Sequence, residues 1–234
     1  MTTIVGIQGD GFAVIGVDSR IASVDDQATV TTQIFTLAET NSKIASNGRY
    51  LIGAAGDVRA INILHHAFKP PECPANLKGK KLDHFFTVKF IPSLMECFDT
   101  HRYSQPQNEN SLHMAEQGSA IVVSINGMLY IVDGDYSWAS DMSGIYAIGT
   151  GAQYALGAAF TLIGRTRPSI GTARKIVMKS LAAAGKFDPN TGAPFHINVQ
   201  TSEPEQKTKR TPSKTIPKRK TVSKRKIIKS RNGH

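Results

Sequence analysis

Two asparagine-glycine dipeptides, Asn47-Gly48 and Asn126-Gly127, each stand between short apolar runs. Each run pair is followed by a stretch patterned for two helices. Asn-Gly is a favoured tight-turn pair because both residues tolerate left-handed backbone, so these segments read as β-hairpins. Residues 43–46 and 50–54 are the arms of the first; 119–125 and 128–132 are those of the second. A further hairpin opens the chain, with Ile4, Val5 and Ile7 before Gly9-Asp10-Gly11 and residues 12–17 after it. Asp57 is a helix cap; Val58, Ile61, Leu64 and Phe68 then share a face until Pro70-Pro71 stops the helix. Residues 82–98 read as a second helix, kinked at Pro92, and 103–118 as a polar loop. A strand over 146–151 leads into an alanine-rich helix ending near Gly164. A helix over 170–184 and a strand over 195–200 follow. Strands, two helices, strands, two helices, strand: this order predicts an α+β fold, a four-layer αββα sandwich of two antiparallel sheets between helix layers.

The charge divides the chain. The protein has 234 residues and a net charge of +10. Residues 201–234 hold twelve Lys/Arg against two Asp/Glu, which is the whole excess. Residues 1–200 are therefore expected to be one neutral domain, and 201–234 a disordered basic tail with too few apolar residues to bury. A flexible polycation binds phosphates by counterion release. With no aromatic residue to stack on bases, the tail is expected to tether without reading sequence. Its expected contacts are nucleic acid or an acidic protein; delivery of substrates and plain solubilisation are the other readings.

Several function classes fall away. No apolar run reaches the ~18 residues that span a bilayer, and no basic segment followed by a long apolar stretch stands at the start, so no secretory signal is expected. Cys73 and Cys97 lack metal-ligand spacing and suit a reducing interior, so a cytoplasmic protein is expected. The seven histidines show no HExxH spacing, and His65-His66 points two ways from one helix. Gly149-Thr150-Gly151 lacks the rest of a dinucleotide fingerprint and any P-loop lysine. No GxSxG elbow is present. No metal or cofactor is expected.

The second residue offers a different chemistry. Removal of Met1 leaves Thr2 with a hydroxyl and a free α-amine. An α-amine has a pKa near 8, so it can accept the hydroxyl proton directly or through a water. A weak nucleophile then carries its own base. Thr2 alone means little, since a processed threonine N-terminus is commonplace.

Four further blocks change that. Thr2-Thr3-Ile4-Val5-Gly6 with Gly16-Val17-Asp18-Ser19-Arg20, Lys43 ahead of Tyr50-Leu51-Ile52-Gly53-Ala54-Ala55-Gly56-Asp57, Gly149-Thr150-Gly151, and Asp188-Pro189-Asn190-Thr191-Gly192 resemble, in order, the proteasome β-subunit and HslV-like family of N-terminal threonine nucleophile hydrolases. The resemblance covers residues 2–200. Threonine replaces the family's serine at Thr150 and Thr191, and Lys43 to Gly56 is one residue shorter than the family pattern. The Asp188 block leans towards proteasome subunits and the short start towards HslV.

The resemblance implies the roles. Thr2 is the nucleophile. Lys43 supplies positive charge beside it, and Asp18 pairs with and orients Lys43. The Gly56 amide forms the oxyanion hole. Thr150, Asp188 and Thr191 hold the α-amine, and Arg20 anchors the Asp188 loop from behind. It implies a threonine-type endopeptidase acting on polypeptides, self-assembled in stacked rings and served by an ATP-dependent unfoldase or an α-type ring. The segment 70–118 is expected to alter ring contacts or substrate access. Two other readings keep the fold: a hydrolase of small amides, and a catalytically silent ring subunit or nucleic-acid-associated scaffold.

Overall fold

The computed structural model describes residues 2–24, 31–104, 118–164 and 167–202. The expected basic tail, from Glu203 on, lies outside them, as do Met1 and most of the expected polar loop. In chain order the strands are β1 (Thr3–Gln8), β2 (Phe12–Asp18), β3 (Arg20–Val24), β4 (Thr31–Thr36), β5 (Ile44–Asn47), β6 (Tyr50–Ala55), β7 (Ala120–Ile125), β8 (Met128–Val132), β9 (Trp138–Ala139), β10 (Ile145–Gly149) and β11 (Phe195–Thr201). The helices are α1 (Val58–His66), α2 (Lys80–Phe85), α3 (Ile91–Thr100), α4 (Ala152–Ile163) and α5 (Ile170–Phe187).

The first two strands are buried on both faces, which explains their near-continuous apolar sequence. One sheet has the order β10-β1-β2-β11 and the other β5-β6-β7-β8-β9, with antiparallel pairing throughout. Three apolar clusters separate the layers. Ile4, Ile15, Leu51, Val122 and Leu129 fill the space between the sheets. Val5, Ile7 and Val14 meet Ala155, Val177 and Leu181 of α4 and α5. Ile52, Ile121 and Tyr130 meet Leu64, Phe86 and Leu94 on the other side. This is the αββα sandwich that the element order predicts.

Asp57 caps α1 as expected, its carboxylate accepting from the Arg59 amide at 2.8 Å. The single helix expected over 82–98 is three pieces. Pro92 cannot donate to the preceding turn, and its ring crowds the carbonyl four residues back. The chain answers with a π-helical turn, Phe86–Phe90, just ahead of it. That wider turn lets Phe86 stack on both Phe90 and Tyr130, with ring centroids 4.5 and 4.2 Å apart. The last helix runs to Phe187, three residues past its expected end, and so delivers Asp188 at its C-cap.

Residues 19–42 carry no periodic pattern from which an element is expected. There β3 and β4 form a two-stranded sheet of their own. Ile34 and Phe35, adjacent on β4, are both exposed, so the alternation that marks a half-buried strand is missing. His65 is held structurally, its Nε2 in a hydrogen bond with the Ser42 carbonyl at 2.5 Å. Among the described residues no helix is long and apolar enough to cross a membrane.

Candidate active site

Thr2 stands just ahead of β1 and is 3% exposed. Thr3 pairs with Gly149 at the end of β10, which brings the Gly149-Thr150-Gly151 segment against the N-terminus. Gly149 has φ +95°, and a side chain there would collide with the Thr2 carbonyl and come within 3.4 Å of the Ala55 Cβ. Only glycine suits both that backbone conformation and that close approach. The ends of β1, β6 and β10 thus converge at Thr2.

Asp18 ends β2 with no exposed surface and accepts four hydrogen bonds, the full capacity of a carboxylate. Its Oδ1 takes the Thr3 amide at 3.0 Å and the Lys43 ammonium at 2.8 Å. Its Oδ2 takes the Arg20 and Gly192 amides at 3.0 and 3.1 Å. It is both the ion-pair partner expected for Lys43 and a clamp on three backbone segments. Lys43, immediately before β5, is 1% exposed, and its ammonium also donates to the Arg20 carbonyl at 2.5 Å. Burial pushes this ammonium below its ordinary pKa, against the pull of Asp18.

Asp188, Thr150 and Thr191 form a second cluster. Both threonine hydroxyls donate to Asp188 Oδ2, at 2.7 Å from Thr150 and 2.6 Å from Thr191. Asn190 supplies its amide and side-chain nitrogen to Oδ1. The loop is held from outside by Arg20, whose Nη1 donates to the Pro189 carbonyl at 2.7 Å. Burial works against a charged Asp188, but the bonds from Thr191, Thr150 and Asn190 outweigh it and hold the carboxyl below its usual range.

That direction sets a pH dependence. A depressed folded-state pKa adds stability that is fully present above the ordinary carboxylate value and is lost as pH falls through the folded-state value. The urea midpoint of the wild type should therefore drop more between pH 7 and pH 3 than that of Asp188→Asn. Equal drops would show that Asp188 does not contribute.

Thr3 was missed by sequence reasoning. It carries no exposed surface, and its hydroxyl lies 2.5 Å from Thr191 Oγ1. The Thr191 proton points at Asp188, so Thr3 is the donor to Thr191. Strand alternation was the available signal. Thr3 shares a face with Val5 and Ile7, which pack on the helices, so its buried hydroxyl needed a partner there. Through its amide and hydroxyl Thr3 links the Asp18 and Asp188 clusters.

Gly151 abuts this junction. A methyl group there would collide with Thr3 Oγ1 and lie 2.8 Å from Thr191 Oγ1 and 3.0 Å from Asp188 Oδ2. Gly151→Ala is expected to cost about 1–3 kcal/mol, as overpacking does, seen as a lower urea midpoint. An unchanged midpoint would mean the junction yields freely.

Gly56 follows β6 with φ +140°, a conformation that L side chains rarely adopt, and is exposed. The sequence-identified residues thus fall in three places: Asp18 with Lys43, Asp188 with Thr150 and Thr191, and Gly56 at the end of β6. No group of three or more His, Cys, Asp or Glu that could hold a metal comes together among the described residues.

No family model matches the sequence, and no curated protein matches it. Solved structures do. BPH from Thiobacillus denitrificans in complex with epoxomicin has a TM-score of 0.64 at 19% identity, over 86% of this chain and 100% of that one. BPH alone gives 0.64 at 20% identity, over 87% and 100%. Eukaryotic HslV from Trypanosoma brucei gives 0.55 at 18% identity, over 85% and 99%. These structural neighbours are of the HslV and proteasome β-subunit type, and the fold is theirs.

Proposed function

We propose that this chain is a threonine-type endopeptidase that hydrolyses polypeptides, with Thr2 as nucleophile once whatever precedes it has been removed. The observation that carries the reading is the buried Lys43–Asp18 pair, with Asp18 also gripping the amide of the residue next to Thr2. Desolvating two charges costs several kcal/mol per ion before attraction offsets it. A silent ring subunit gains nothing from such a pair that packed apolar residues would not supply. A nucleophilic hydroxyl gains a cation.

The steps follow from the groups present. The α-amine of mature Thr2 takes the hydroxyl proton, and Oγ1 attacks the substrate carbonyl. The Lys43 charge disfavours a protonated amine and favours negative charge on Oγ1. The Gly56 amide meets the oxyanion of the tetrahedral intermediate. Collapse breaks the C–N bond, the ammonium returns the proton to the leaving amine, and an ester to Thr2 remains. Water, deprotonated by the same amine, hydrolyses the ester and regenerates Thr2. The hydroxyls of Thr150 and Thr191 are committed as donors to Asp188, so towards the amine they present oxygen lone pairs. They orient the amine by accepting its protons.

The fold shared with HslV supports self-association in stacked rings, with an ATP-dependent unfoldase or α-type ring delivering folded substrates. The purified chain is expected to degrade an unfolded polypeptide without ATP, and to appear as stacked rings by electron microscopy. A monomer inert towards unfolded polypeptides would overturn the proposal.

A further inference from the structure

The polar stretch expected over 103–118 is closed by a buried contact between its two ends. Tyr103, just after α3, and Ser119, just before β7, are 7% and 4% exposed, and their hydroxyls are 2.8 Å apart. The Tyr103 amide donates to the Phe98 carbonyl, and its ring meets Phe98 edge-on at 4.9 Å, so the phenol is held in place. Burial pushes that phenol's pKa up, keeping it a neutral hydroxyl.

Ser119 does more than close the loop. Its Oγ accepts the Asp57 amide at 3.2 Å. The backbone of 118–119 also lies directly against Gly56: a methyl group there would be 2.7 Å from both the Gly118 carbonyl and Ser119 Oγ, and 3.0 Å from Ser119 Cα. The turn at Gly56-Asp57 is therefore pinned from both sides. Downstream, the Asp57 side chain caps α1; from below, Ser119 holds the Asp57 amide and Tyr103 holds Ser119. An oxyanion donor is useful only when its N–H is already aimed at the developing charge. A peptide on an exposed turn with positive φ does not hold such an aim unaided.

We infer that Tyr103 and Ser119 are positioning residues for the Gly56 amide, acting on the transition state through the Asp57 amide and not through substrate. This rests on the peptidase reading above. Displacing a catalytic group by an ångström can cost about a hundredfold in rate, so loss of one hydroxyl that steadies the turn should act on kcat and spare KM.

The test compares wild type, Tyr103→Phe, Ser119→Ala and the double variant in hydrolysis of a short fluorogenic peptide. It adds inhibition by a peptide aldehyde, whose tetrahedral adduct places an oxyanion where the Gly56 amide points. Tyr103→Phe keeps the ring packed on Phe98, so its fold should hold; circular dichroism and particle size check this. The expected result is a kcat lowered about tenfold or more in each single variant, with KM within about twofold of wild type. Aldehyde affinity should weaken by the same factor as kcat. The double variant should be little worse than Ser119→Ala, because both hydroxyls act along one path. Tyr103→Phe and Ser119→Ala enzymes with wild-type kcat would overturn the inference, as would a lowered kcat with unchanged aldehyde affinity. A wild type that hydrolyses nothing would instead overturn the peptidase reading itself.

Discussion

Replacing Thr2 with alanine is expected to abolish peptide hydrolysis while leaving the fold intact. The side chain removed is small, and the Thr3 anchors to Asp18 and Thr191 remain, so the thermal midpoint should barely move. The rate should fall by a factor on the order of 10⁴–10⁶, the scale seen when a hydrolase loses its nucleophile. Thr2→Ser should keep measurable activity, since hydroxyl and amine both survive. A Thr2→Ala protein that still cleaved at wild-type rate would place the chemistry elsewhere in the molecule.

Lys43→Met is the second large effect, and it is double. The site is 1% exposed, and its ammonium bridges Asp18 and the Arg20 carbonyl. Methionine fills much of the volume but leaves Asp18 buried among backbone amides with no cation. Breaking a buried pair by removing one partner costs about 3–5 kcal/mol, to be read from urea unfolding. Activity should fall about 10²–10³-fold or more, as when a stabilising charge or donor is taken from a transition state. Arginine should not rescue it, because a planar fork of five donors does not fit a closed site built for a compact ammonium. A stable, active Lys43→Met would remove the observation on which the proposed function stands.

The fold was legible where local chemistry decides it. Asn126-Gly127 does form the two-residue turn of β7–β8, whereas Asn47 ends β5 opposite Tyr50, so the first hairpin turns one residue later at Gly48-Arg49. The helices fall in the stretches where periodicity puts them, the one over 82–98 in three pieces. Pairings set by distant partners were not legible. Nothing local states that β1 takes β10 as its second neighbour, or that β11 lies beside β2. The β3–β4 hairpin escaped notice because adjacent Ile34 and Phe35 are both exposed, which erases the period-two signal.

At the site, Asp18, Lys43, Thr150, Asp188 and Thr191 stand out in the sequence through the family resemblance of the motifs that hold them, and the structure brings Asp18 to Lys43 and Asp188 to Thr150 and Thr191. That grouping is the one the resemblance implies. The link between the two groups through Thr3 was not visible, because it depends on how three strand ends meet. Thr3 was overlooked beside the more reactive-looking Thr2, although its place on the helix-facing side of β1 demanded a hydrogen-bond partner. Tyr103 and Ser119 gave no motif at all. Their link to Gly56 exists only because Tyr103 and Ser119 meet beside a turn whose Asp57 lies 62 residues before Ser119 in the chain.

The most direct test is to expose the purified protein to a peptide epoxyketone, a reagent whose ketone and epoxide require a hydroxyl and an adjacent free amine, and to map the product by mass spectrometry. The proposed function predicts a chain beginning at Thr2 with one adduct, on Thr2, and none on Thr2→Ala. A chain that keeps residues ahead of Thr2, or hydrolyses polypeptides while Thr2 stays unmodified, would contradict it.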